Sequence, residues 1–168
     1  PKEALQNAKK IIIKTKCDAV KLEGGKKIYN IVKALTKNNI TVMGHLGLLT
    51  QSDKTFKFKG KKISERKKIL NDAKLLEDAG VFSIVLECVE TSLAKKITNE
   101  INIPTIGIGA SNNCDGQILV LDDLIGLNQI DVRFVKKYVN IRKEITKAVS
   151  SYSRDVRKKK FPLKKHSY

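Results

Sequence analysis

Short apolar runs alternate with stretches of helical spacing along almost the whole chain. Residues 2–14 carry apolar positions at helical intervals, and 19–23 form a short, largely apolar run that Gly24 and Gly25 close. Helical spacing returns at Ile28, Ile31, Val32 and Leu35, and ITVMGHL (40–46) then predicts a buried strand rich in branched residues. A loop rich in Lys, Ser and Gly covers 47–62. Ser64 is placed to cap a helix that runs to Ala79 and is stopped by Gly80. VFSIVLE (81–87), IPTIGIG (103–109) and QILVLDD (117–123) read as three more strands, with a helix over 91–100 after the first of them. Residues 133–150 predict a long amphipathic helix, followed by a basic tail.

Near-continuously hydrophobic strands separated by helices imply a parallel sheet covered on its outside, hence an α/β fold. Two architectures fit, a doubly wound open sheet and a (β/α)₈ TIM barrel, and both gather functional groups at the C-terminal ends of the strands. Polar residues stand at those ends strand after strand: Lys21 and Glu23, His45, Glu87, the ASNNCDG loop after Gly109, and Asp122. An open nucleotide-binding sheet would instead concentrate its signal in one glycine-rich turn. The barrel is the expected fold. Five strands are legible where a barrel has eight, so the expectation is a partial barrel holding about the last five strands, with residues 1–150 forming it and 151–168 a basic C-terminal tail.

Composition narrows the picture. A chain of 168 residues with 41% hydrophobic and 5% aromatic content suits one aliphatic α/β core. No apolar run is long enough to span a bilayer, and the opening PKEALQNAKK is amphipathic, which points to a cytoplasmic protein with no membrane partner. Cys17, Cys88 and Cys114 show no CxxC spacing and read as packing residues. The formal charge of +17 raises nucleic-acid binding, with RKKK (157–160) as the candidate patch. The excess is mostly lysine spread along the chain, without interleaved aromatics, so a solvated surface with no nucleic-acid partner is the expected reading.

Within VKLEGG (20–25), strand alternation puts Lys21 and Glu23 on one face. Glu23 suits a hard cation, since Mg²⁺ takes one or two carboxylates and fills its other positions with water and substrate oxygens. An ion pair with Lys21 is the structural alternative. His45, in GHLG, is either a site residue or a hydrogen-bonded core histidine. Glu87 ends the most hydrophobic strand, where desolvation raises a carboxyl pKa toward that of a useful base; its alternative is to cap the helix near Thr91. GIGAS (107–111) lacks the partners of a phosphate loop and reads as a tight turn.

Taken in order, VKLEGG, MGHLGL with QS shortly after, LEDAGVFSIVLECV, and IPTIGIGAS with CDGQILVLDDLIG resemble the ketopantoate hydroxymethyltransferase family. The resemblance implies a (β/α)₈ barrel that transfers a hydroxymethyl group from 5,10-methylenetetrahydrofolate to 3-methyl-2-oxobutanoate, giving 2-dehydropantoate for pantothenate synthesis. It further implies Mg²⁺ and a homodecamer when complete. Carried over by motif, Glu23 is a metal ligand, Lys21 and His45 bind the oxo acid, and Glu87 is the general base. A related Mg²⁺-dependent oxo-acid lyase or aldolase is the alternative chemistry. The family's two metal-binding aspartates and a neighbouring serine belong to early strands with no counterpart here, so this chain alone is expected to be impaired. LLTQS also lacks the family's proline before QS, and the loop that follows is shortened to DKTFKFKGKK.

Overall fold

The structure is a computed structural model that describes residues 1–53, 55, 57–129 and 132–168. Lys54 and Phe56, in the shortened loop singled out above, lie outside the described residues. The chain forms two compact units, Pro1–Ile118 and Leu119–Tyr168.

The first unit alternates helices and strands: α1 (Lys2–Thr15), β1 (Val20–Glu23), α2 (Tyr29–Thr36), β2 (Val42–Gly47), α3 (Ile63–Asp78), β3 (Ser83–Glu87), α4 (Thr91–Glu100), β4 (Thr105–Ile108) and β5 (Gly116–Gln117). A 3₁₀ turn, Lys26–Ile28, leads into α2. The strands pair in parallel in the order β1-β2-β3-β4-β5. A doubly wound sheet reverses its strand order at a switch point and is covered on both faces. Here the order is sequential, and the core lies on one face: Val42, Leu46, Ile84 and Leu86 pack with Ala8 of α1, Val32 and Leu35 of α2, Ile69 and Leu76 of α3, and Leu93 and Ile97 of α4. That is the arrangement of a barrel wall, with helices outside and a second face turned inward.

Several boundaries depart from the sequence expectation. Helix α3 begins at Ile63 with Lys62 in the cap position and no side-chain cap, so Ser64 lies inside the helix. Gly80 does stop it, at φ 89°, with its N–H donating to Glu77 O at 2.9 Å. The expected strand over 117–123 shrinks to Gly116–Gln117, and Leu121–Leu124 is a short helix, α5, in the second unit. Asp122 and Asp123 sit in its first turn, where carboxylates favour a helix N-terminus over a strand. The closing helix, α6, spans Ile141–Arg157, later than the predicted 133–150 and running into the basic tail. Asn140 sets its start by accepting a hydrogen bond from Lys143 N at 3.0 Å.

Candidate active site

Register decides which side chains meet. Glu23 pairs with His45 across β1 and β2, and His45 pairs with Val85 of β3. Parallel partners share a face and residues two apart return to it, so Lys21, Glu23, His45, Val85 and Glu87 all lie on the face opposite the helices. The apolar run of β3 is thus buried by helices on one side, while on the other it delivers Glu87 to the strand end.

His45 stands between two carboxylates. Its Nδ1 is 3.5 Å from Glu23 Oε1 and its Nε2 is 3.2 Å from Glu87 Oε2, with side-chain exposures of 1%, 8% and 13% for His45, Glu23 and Glu87. Neither ring nitrogen makes an aligned hydrogen bond among the described residues. Burial pushes the imidazole below its ordinary value, and Lys21 acts in the same direction against the opposing pull of Glu23. Burial also raises Glu87, reinforced by the charge of Glu23 and opposed by Lys21. A neutral imidazole has a single N–H and can donate to only one carboxylate; its other nitrogen offers a lone pair, which suits a protonated carboxyl. His45 Nε2, facing Glu87, therefore suits that carboxyl once it has taken up a proton.

The Glu23 carboxylate is held from the loop after β2: Oε1 accepts from Thr50 Oγ1 at 3.2 Å and Oε2 from Gln51 N at 3.1 Å. Neither partner is among the expected site residues, although Gln51 opens the QS string quoted for the family resemblance. No ion pair joins Lys21 to Glu23 among the described residues; Lys21 is exposed, and its charge acts on His45 and Glu87. For a metal, Glu23 supplies the hard, nearly buried oxygen donor that Mg²⁺ accepts. No group of three His, Cys, Asp or Glu side chains is arranged to hold a metal among the described residues. The donor set fits the ion as a single-carboxylate contribution.

The alternative role for Glu87, capping α4, is taken by Glu90. Its carboxylate accepts from Ser92 N at 3.1 Å and Leu93 N at 3.0 Å, and it pairs with Arg66. Arg66 also donates to Gly60 O at 3.2 Å, and Lys59 N donates to Cys88 O at 2.8 Å, so the end of the loop after β2 is fastened beside Glu87. Arg66, with Ser92, holds the Glu90 carboxyl down at about 2, from an ordinary 4.5. A depressed folded-state value adds stability that is present above pH 4.5 and lost as pH falls toward about 2. Glu90→Gln is expected to cost about 1 kcal/mol at pH 7, a gap that closes across that acid window in urea titrations. A gap independent of pH would refute this.

The loop after β4 is fastened back onto its own strand. Asp115 accepts from Thr105 N at 2.8 Å and Thr105 Oγ1 at 3.1 Å, and Gln117 Nε2 donates to Ser111 O at 2.7 Å, so GIGAS and its continuation form a self-satisfied turn. Asp122 belongs to α5, in the second unit, and not to a strand. All three cysteines are free, and burial pushes the Cys88 thiol up to about 11, as expected of a packing residue.

A family model described as ketopantoate hydroxymethyltransferase matches residues 1–164. The chain belongs to the ketopantoate hydroxymethyltransferase family. It is 70% identical over 167 residues to the 3-methyl-2-oxobutanoate hydroxymethyltransferase of Pelagibacter ubique (strain HTCC1062), covering 99% of this chain and 65% of that protein. Proteins of the same name from Pyrobaculum neutrophilum and Chlorobaculum parvum are 50% and 46% identical, with 99% and 100% of this chain and 64% and 62% of theirs covered. This member of the ketopantoate hydroxymethyltransferase family thus spans a little under two thirds of the length of these relatives. Its five-stranded parallel sheet is part of a (β/α)₈ barrel. No described helix is long and apolar enough to cross a membrane.

Proposed function

We propose that this chain carries the enolising part of a site that transfers a hydroxymethyl group from 5,10-methylenetetrahydrofolate to 3-methyl-2-oxobutanoate, giving 2-dehydropantoate. The observation that carries the reading is the Glu23, His45 and Glu87 constellation on the inward face, with Glu87 raised by burial. The names of the relatives above supply the substrate. Glu87 removes the C3 proton of the oxo acid; the carbanion so formed attacks the methylene carbon of the folate donor as one of its C–N bonds breaks, and water then supplies the hydroxyl oxygen as the second C–N bond breaks and tetrahydrofolate leaves. A carboxylate with a raised pKa is the stronger base, and general-base help of this kind is worth about 10²- to 10⁴-fold. His45, whose burial disfavours the protonated ring, lines the substrate site and offers its lone pair to the proton that Glu87 has taken. Lys21 binds the oxo acid and balances its negative charge. Glu23 would supply one ligand to Mg²⁺, which when bound would provide Lewis-acid polarisation of the ketone. A homodecameric assembly and a cytoplasmic setting belong to the same proposal.

The test is Mg²⁺-dependent deuterium exchange at C3 of 3-methyl-2-oxobutanoate without folate, followed by proton NMR. Because Glu87 is active as its carboxylate and its pKa is raised, exchange should increase with pH through a midpoint above the ordinary 4.5 and then level off. A rate that stayed flat with pH would remove Glu87 as the base.

A further inference from the structure

Among the described residues Asp72, at 2% exposure, is the only fully buried acidic residue, and the chemistry above does not use it. It projects from α3, 46 residues away in sequence, onto the turn that leaves β1: its Oδ1 accepts from Lys26 N at 2.9 Å. Its Oδ2 accepts from Lys68 Nζ at 2.7 Å. A Cβ added at Gly25 would lie 2.1 Å from Asp72 Cγ, so the backbone meets this carboxylate with no room for a side chain. One residue earlier, Gly24 N donates to His45 O at 3.0 Å, at a φ of 122° that disfavours any residue but glycine. The two glycines after Glu23 thus have separate reasons. Gly24 needs its backbone conformation, while Gly25 needs to be bare.

We infer that Asp72 is a positioning residue, which fixes the Gly24–Gly25 turn through the Lys26 N–H and so sets Glu23 against His45. The β1 end is held at two points, by the β2 backbone on one side and by Asp72 on the other. Glu23 itself is nearly buried, so a shift of the turn has little solvent to relax into. The functional weight of the inference rests on the proposed role of Glu23.

The experiment compares the full chain with Asp72→Ala, Asp72→Asn and, as reference, Glu23→Gln. In ¹H–¹⁵N spectra, Asp72→Ala should move the Lys26 amide and with it those of Glu23, Gly24 and His45. The Mg²⁺ concentration for half-maximal C3 exchange, measured well below each variant's melting temperature, should rise roughly 10- to 100-fold, as misplacements of about 1 Å do to reacting groups. Asp72→Asn keeps an acceptor oxygen for Lys26 N and should lie between parent and Asp72→Ala. A purely structural Asp72 would lower the melting temperature and move Lys26 alone, leaving Glu23, His45 and the half-saturation unchanged; that result overturns the inference. Should Asp72→Ala fail to fold, Asp72→Asn carries the same readouts. If Glu23→Gln left half-saturation unchanged, the ligand role of Glu23 would fall, and the amide shifts would still decide the positioning.

Discussion

Glu87→Gln is expected to slow C3 proton exchange about 10²- to 10⁴-fold while leaving the fold intact. Gln keeps the size of the side chain and its contact with His45 but cannot accept a proton near neutral pH. Helix α4 should be indifferent, because Glu90 caps it. Stability should change little, since burial disfavours the ionised form of Glu87 that the amide replaces. The measurement pairs NMR exchange rates with urea midpoints on the same preparations. Exchange within tenfold of the parent, or a parallel collapse of stability, would sink the assignment of Glu87 as base.

Gly47→Ala is expected to damage both the fold and the site. Gly47 ends β2 opposite Glu87, at φ 96°, and an added Cβ would lie 2.1 Å from the Glu87 carbonyl oxygen and 2.6 Å from Val89 Cγ2. The obstruction is backbone, so no rotamer change relieves it. Separating the strands there strains the 2.8 Å hydrogen bond from Leu48 N to Glu87 O. Left-handed strain of about 1–2 kcal/mol and a lost hydrogen bond of about 1 kcal/mol sum to a destabilisation of about 2–3 kcal/mol. The displacement also falls on the residue carrying the base, so exchange should drop with it. Urea unfolding at constant slope reads the first effect and C3 exchange the second. A variant within about 0.5 kcal/mol of the parent would show that the two strand ends are not in the contact described, since ordinary surface substitutions stay in that range.

Much of this was legible along the chain. Strands β1 to β4 and helices α1 to α4 fall where apolar periodicity put them, because strands buried by helices read as continuous apolar runs and the helices keep one apolar stripe. The candidate residues stood out because charge at the end of an apolar run is conspicuous, and the shared strings led to the right family. Where the reading failed, local signals were balanced. QILVLDD is apolar enough for a strand, but two aspartates in one turn favour a helix start. Ser64 had the chemistry of a cap but lies one turn position inside a helix that starts without one.

The sequence by itself determined the α/β alternation, the family, and which side chains were available for chemistry, because each depends on neighbours a few residues apart or on strings that match as wholes. Only the tertiary structure decided how they meet. It placed His45 between Glu23 and Glu87, gave the α4 cap to Glu90, bound Glu23 through Thr50 and Gln51, and brought Asp72 onto Gly25. Those contacts follow from strand register and helix packing between residues that are distant in the chain, and the shifts at His45 and Glu87 follow from burial. Periodicity marks which face of an element is apolar; it carries no information about which partner lies across from it or how much water remains.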